Sequence, residues 1–196
     1  MKYEYEKLTD EDLFALLSEN KEVSNLAFNE LHRRYSQKMY SYLNRLLGNR
    51  FFIKDLYQEI FVKIYNIGIK SKEKQLNNFN AYIYQTAKNL CLNHFKSENK
   101  LPELYSEYMN DIKTEEKDID EERIEMLKKS VKLLPEIYRE VIILSEFENL
   151  SNTSIAEITG DSEINIRVKL HRGKKMLRDI YSRMKRRMKV IEENDR

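Results

Sequence analysis

At 196 residues with a formal net charge of +2, the chain is long enough for one or two small domains with real cores. Four Gly and two Pro are too few for an all-β chain of tight turns, and a single Cys excludes an internal disulfide. No apolar run approaches the roughly 20 residues of a membrane span, and the N-terminal MKYEYEKLTDEDLF has no apolar signal core. A reducing, cytoplasmic setting is expected, with no membrane contact of the chain's own. Charge is unevenly spread. Residues 163–189 hold eleven Lys and Arg against Glu163 and Asp179, while 98–125 hold eleven Asp and Glu against Lys100, Lys113, Lys117 and Arg123. An acidic middle and a basic end suit different partners.

Helical periodicity recurs along the chain and predicts an all-α protein. Thr9 followed by Asp12 resembles a capping box before Leu13, Leu16 and Leu17, a short first helix. A long helix is expected after Ser24, with Phe28, Leu31, Tyr35, Met39, Tyr42 and Leu46 inward and Gly48 as its stop. A helix over 51–66 buries Ile53, Leu56, Ile60 and Ile64; its opposite face carries Asp55, Gln58, Glu59 and Val62 at i, i+3, i+4 and i+7. Such a face alone reads as solvated surface. The polar stretch 67–78 reads as a loop. A helix from Phe79 buries Ile83, Ala87 and Leu90, and presents Tyr82, Thr86, Asn89 and Asn93 beside Lys88 and Lys96. Aromatic and amide groups next to cations suit stacking on, and hydrogen bonding to, unpaired bases. These elements make one helical domain over 8–97.

Residues 98–119 have no sustained apolar period and are acid-rich, the composition of a flexible linker. A second domain follows over 120–185. Ile124, Leu127, Val131 and Leu134 give its first inward stripe. Pro135 suits the first position of the next helix, which reaches about Phe147.

Leu150–Lys175 then reads LSNTSIAEITGDSEINIRVKLHRGKK. Ser151 and Ser162 are each placed to cap a helix, and Gly160–Asp161 supplies a turn between them. Ala156 lets the two helices approach. Ile166, Leu170, Gly173 and Leu177 form the second helix's inner stripe. Ile164, Val168, His171 and Lys175 face the other way, flanked by Asn165, Arg167 and Arg172. This is a helix-turn-helix pattern, whose second helix commonly enters the DNA major groove. Asn suits adenine, Arg suits guanine, and both Lys and Arg neutralise phosphates.

No catalytic constellation is visible. His32, His94 and His171 fall on different helices, and Cys91 with His94 gives two ligands where a zinc site needs three or four. Neither a Gly-rich phosphate loop nor a G-x-S-x-G elbow occurs. No enzymatic activity, metal or cofactor is expected.

The segments AFNELHRRYSQKMYSYLNRLLGN, IKDLYQEIFVKIY and FNAYIYQTAKNLCLNHFK, an acidic linker, then LPEIYREVIIL and the helix-turn-helix occur in a fixed order. Over about residues 25–180 this resembles a bacterial extracytoplasmic-function (ECF) sigma factor of the minimal type, with regions two and four only. The D-L-x-Q-E core at Asp55–Glu59 and the L-S…I-A-E-I-x-G…L-H-R core carry the resemblance together. It implies two small helical domains, a region-two bundle and a region-four helix-turn-helix, on a flexible acidic linker. The resemblance implies a protein that binds core RNA polymerase and directs promoter recognition, melting and initiation. It implies that Asp55, Gln58, Glu59 and Val62 dock on the clamp helices of the largest polymerase subunit. Phe79, Tyr82, Lys88 and Asn89 are implied in −10 DNA binding. Asn165, Arg167, Lys169, His171, Arg172 and Lys175 are implied in −35 DNA binding, supported by Leu150–Ile158. The linker would thread toward the active-site channel, its carboxylates imitating phosphates. An anti-sigma factor covering Asp55–Val62 or the 163–175 helix is a further implied partner. Five positions depart from the family's pattern: Ser154 stands where Glu or Gln is common, Ile164–Asn165 where Gly-Thr is usual, and Tyr65 and Tyr82 where Trp is common. A stand-alone helix-turn-helix regulator with an N-terminal helical sensing or dimerisation domain is the alternative, and a protein-binding helical adaptor a third.

Overall fold

The computed structural model describes residues 4–47, 52–70, 76–97 and 119–194. The expected stop at Gly48, the centre of the 67–78 loop and residues 98–118 of the linker lie outside them. All regular structure among the described residues is helical, as expected. It forms two compact units: the helices up to Ser97, with which Glu157–Gly160 groups, and the other described helical residues from Ile119 onward.

The first unit comprises α1 (Asp10–Leu16), α2 (Lys21–Leu47), α3 (Ile53–Gly68) and α4 (Phe79–Ser97), preceded by a short 3-10 turn at Tyr5–Lys7. Thr9 caps α1: its Oγ1 accepts from the Asp12 N–H at 3.1 Å and its hydroxyl donates to Asp12 Oδ2 at 2.7 Å. Helix α2 starts earlier than expected. Asn20 Oδ1 accepts the Val23 N–H at 3.1 Å, so Asn20 caps the helix and Ser24 is buried inside it.

The core contains the expected α3 stripe Ile53, Leu56, Ile60 and Ile64, all at most 3% exposed. It joins Leu31, Tyr35, Met39 and Tyr42 of α2 and Ile83, Ala87 and Leu90 of α4. Aromatic edges hold α4 in place: Tyr35 and Phe79 centroids lie 5.1 Å apart, and Tyr42 and Tyr84 also 5.1 Å.

Helix α3 continues through Gly68 instead of ending near residue 66. Gly68 is where it meets α1: a Cβ there would sit 2.4 Å from Leu17 Cδ1 and 2.7 Å from Leu17 Cβ. Leu17 is itself fully buried. Gly68→Ala is therefore expected to cost about 1–3 kcal/mol by overpacking. A thermal melt followed by circular dichroism should show Tm falling by several degrees. An unchanged Tm would mean that Leu17 has room to withdraw.

A polar network that the sequence reading did not foresee ties the N-terminal segment to α2. Glu30, 7% exposed, accepts from Arg33 Nε and Nη2, each at 2.7 Å, and from Arg34 Nε at 2.7 Å. Arg34 also donates to Asp10 Oδ1 at 2.7 Å and to the carbonyls of Leu8, Tyr5 and Glu6 at 2.9, 3.2 and 2.9 Å. The Tyr35 hydroxyl donates to Asp10 Oδ2 at 2.5 Å. Burial, with the Asp10 carboxylate beside it, pushes the Tyr35 phenol upward.

The second unit comprises α5 (Ile119–Lys132), α6 (Glu136–Ile142) running into one π turn (Ile143–Phe147), α7 (Asn152–Thr159) and α8 (Glu163–Asn194). The inner face of α5 is rotated from expectation. Ile124 is 54% and Leu127 39% exposed, while Met126, Ser130, Val131 and Leu134 are buried. The cause is α8, which packs on α5: Ser130 Oγ lies 3.4 Å from Met184 Sδ, and this small side chain admits the long one. Pro135 is the N-cap of α6, not its first helical residue; its carbonyl accepts the Tyr138 and Arg139 N–H groups, both at 2.9 Å. Helix α8 packs against α6 at Gly173. A Cβ there would lie 3.1 Å from Ile142 Cγ1 and 3.3 Å from Tyr138 Cβ.

Candidate polymerase and nucleic-acid interfaces

Helix α3 turns one stripe into the core, so geometry forces the positions half a turn away into solvent. Asp55, Gln58 and Glu59 are exposed there, and Val62 is 58% exposed. These four expected docking residues thus share one open face. Two carboxylates, an amide and an apolar side chain on a rigid helix can receive guanidinium groups and a small apolar contact.

Helix α4 divides the expected −10 residues. Phe79 is 1% exposed, with its ring 5.6 Å from Phe14 and its N–H donating to Glu11 Oε1 at 2.8 Å. Its side chain belongs to the core and is unavailable to a base, which corrects its place among the DNA-contacting side chains. The signal lay in its neighbours: Phe14 and Tyr35 supply the aromatic surroundings. Tyr82 is half-buried, with Phe14 at 5.9 Å against its ring. Burial pushes its phenol upward, and the Thr86 hydroxyl opposes this. Asn89 is exposed and Lys88 half-buried. Tyr82, Lys88 and Asn89 therefore lie on accessible or partly accessible parts of α4.

The helix-turn-helix is set by local chemistry. Ser151 Oγ accepts the Ser154 N–H at 3.1 Å, and Ser162 Oγ the Asn165 N–H at 3.2 Å. Ser154, where the family's Glu or Gln would stand, meets Ser151 hydroxyl to hydroxyl at 3.0 Å. Gly160 takes φ +74°, a left-handed conformation that favours glycine, and the Asp161 N–H bonds back to the Ala156 carbonyl at 3.2 Å. The Thr153 hydroxyl donates to Glu163 Oε1 at 2.8 Å, fastening α7 to the start of α8.

Ile166, Leu170 and Gly173 face inward on α8, as expected. Asn165, Arg167, His171, Arg172 and Lys175 are exposed. Lys169 differs: it forms an ion pair with Asp161 across the turn, and its side chain is 28% exposed. Arg167 Nη2 lies 3.6 Å from Glu163 Oε2. Farther along, Lys174 pairs with Glu146 at 2.8 Å and holds that carboxyl below the usual range. Arg172 and Lys175 form no ion pair with a described residue, leaving a positive outer edge beside the exposed His171.

Comparison with known proteins agrees with this geometry. The Sigma-70 region 2 family model matches residues 31–101, and that of Sigma-70, region 4, matches residues 124–177. The ECF RNA polymerase sigma-E factor of Haemophilus influenzae is 30% identical over 185 residues, covering 88% of this chain and 95% of that protein. The ECF RNA polymerase sigma factor SigW of Bacillus subtilis is 27% identical over 167 residues, covering 78% and 87%. The ECF RNA polymerase sigma factor SigE of Mycolicibacterium smegmatis is 25% identical over 163 residues, 80% of this chain, which spans only 62% of that relative's length. Two solved structures share the fold. CnrH in complex with the cytosolic domain of CnrY gives a TM-score of 0.63 at 17% identity, covering 88% of this chain and 97% of that one. The sigma factor RpoE in complex with the anti-sigma factor NepR from Bartonella quintana gives 0.62 at 16%, covering 79% and 96%. A free-standing regulator with an unrelated sensing domain is not favoured, because the N-terminal half matches region 2 as well as the C-terminal half matching region 4. With a relative at this identity matched over nearly its whole length, the chain belongs to the sigma-70 family, in its extracytoplasmic-function group.

Proposed function

We propose that this chain binds core RNA polymerase, carries it to a set of promoters and opens them, without catalysing a reaction itself. The observation that carries this reading is that each half has an open charged face, acidic on α3 and basic on α8, and that the halves are matched by different sigma-70 regions. In this reading residues 8–97 bind polymerase and the −10 element, 98–119 link, and 120–185 bind the −35 element. Asp55, Gln58, Glu59 and Val62 meet the clamp helices of the largest subunit. Tyr82, Lys88 and Asn89 hold the opened −10 strand, and Phe79 supports them from the core. Asn165, Arg167, His171, Arg172 and Lys175 face the −35 element, while Lys169 braces the turn through Asp161. The chain acts in the cytoplasm beside polymerase. Among the described residues no helix is long and apolar enough to cross a membrane. An anti-sigma protein is a fitting partner, since the NepR complex shows this fold held by one.

The test is run-off transcription by purified core polymerase on sheared host DNA, with and without this chain. New discrete transcripts are expected only when it is present. Arg172→Glu, on the exposed edge of α8, is expected to reduce them roughly tenfold or more by replacing an attractive phosphate or base contact with repulsion. Absence of new transcripts from a core enzyme that is active with its primary sigma factor would refute the reading.

A further inference from the structure

Among the side chains described on α8, the large apolar ones most open to solvent are Ile164, 72% exposed, and Val168, 41% exposed. They stand four residues apart, hence on one side of the helix, in its first two turns. Those turns are the part of a recognition helix that reaches base edges.

The polar groups around this tip are engaged within the protein. Arg167 pairs with Glu163, Lys169 with Asp161, and the Asn165 side-chain amide lies 3.5 Å from Asp161 Oδ1. Arg172 and Lys175, cations without a described ion-pair partner, lie farther along the helix. Ile164 and Val168 thus put an apolar contact at the leading edge of this reader, beside the exposed Asn165 and Arg167.

In the major groove only one base-edge group is apolar, the 5-methyl of thymine. An isoleucine or valine against a cytosine amino group or a guanine carbonyl would desolvate it without offering a partner. We propose that Ile164 and Val168 select thymines in the −35 element by packing on their methyl groups. The proposal rests on the reading that α8 binds the −35 major groove, and adds what its tip prefers there. It also gives a chemical meaning to the departure of Ile164–Asn165 from the family's usual Gly-Thr.

Replacing dT by dU removes the methyl and leaves the O4 acceptor and base pairing intact. Holoenzyme, made from core polymerase and this chain, would first be used to select duplexes from a promoter library randomised across the −35 window. Selected duplexes would then be remade with dU replacing dT in that window, and their affinities compared by filter binding. The expected loss is roughly fourfold for each methyl contacted. Holoenzyme carrying Ile164→Ala and Val168→Ala should bind dT and dU duplexes equally, near the wild-type dU level. Both side chains are exposed, so the variant should keep its fold, as circular dichroism would verify. Equal wild-type binding to dT and dU duplexes, with Arg172→Glu weakening both, would overturn the proposal and leave the −35 reading standing. No effect of Arg172→Glu on either would overturn that reading and the proposal with it.

Discussion

Asp55→Arg together with Glu59→Arg is expected to abolish promoter-dependent transcription while leaving the protein folded. Both carboxylates are exposed on α3, and neither is paired with a described residue, so their loss unpicks no packing. The stripe that holds α3 down, Ile53, Leu56, Ile60 and Ile64, is on the other side. At the proposed docking face, which offers carboxylates to a cationic partner, the reversal exchanges attraction for repulsion at two points. Disrupting a charge pair at an interface costs about 2–5 kcal/mol, so holoenzyme affinity should fall by at least roughly 30-fold. Pull-down of core polymerase and single-round transcription would measure it, with circular dichroism to verify the fold. Glu22→Arg, an exposed charge reversal near the start of α2, is the control and should be silent. A double variant that assembled and transcribed normally would remove α3 as the docking helix.

The largest stability effect is expected at Arg34. This side chain makes five hydrogen bonds, to Glu30, Asp10 and three backbone carbonyls of the N-terminal segment. Arg34→Met keeps much of the stem but leaves a largely buried carboxylate and three carbonyls short of a donor. Breaking one side of such a pair costs about 3–5 kcal/mol, and urea melts should show it. The network also has a pH signature. Glu30 is held at about 2, first by its hydrogen bonds from Arg33, with burial opposing and Arg34 adding to the depression. A carboxyl depressed in the folded state stabilises fully above its unfolded value near 4.5, and that stability is lost as pH falls toward 2. The wild type should lose stability from this group across that window, by less than the full shift implies because Arg33, which contributes most, is exposed to solvent. Glu30→Gln should be less stable at neutral pH and show a flatter acid limb. Parallel acid limbs in the two proteins would refute the assignment.

What could be read from the sequence was what neighbouring residues decide among themselves. The caps at Thr9, Ser151 and Ser162, the turn at Gly160 and the α3 stripe depend on spacings of a few residues, and all appear as expected. The rotation of α5 did not. Ile124, Leu127, Val131, Leu134 and Met126, Ser130, Val131, Leu134 are both plausible helical stripes. Only Met184, more than fifty residues later, makes the small Ser130 the better inner residue. Phe79 was misplaced for the same reason, since its aromatic cage comes from α1 and α2. Lys169 pairs with Asp161 across the turn, a partner that its place on the helix does not announce. The Glu30–Arg34 network joins segments more than twenty residues apart, and no local motif announces it. In each case the deciding group lies across the fold from the residue it governs.

One contact of α4 has a consequence for the path of a nucleic-acid strand. Free N–H groups at a helix start attract phosphate. Here Glu11 of α1 already takes the Phe79 N–H and Asn78 Oδ1 the Ala81 N–H, at 2.8 and 2.9 Å. A resident carboxylate stands where an incoming phosphate would seek its anchor, and it repels a second anion. The start of α4 is thus a closed end for anions, and a strand held as proposed by Tyr82 and Asn89 would have to find its phosphate contacts elsewhere.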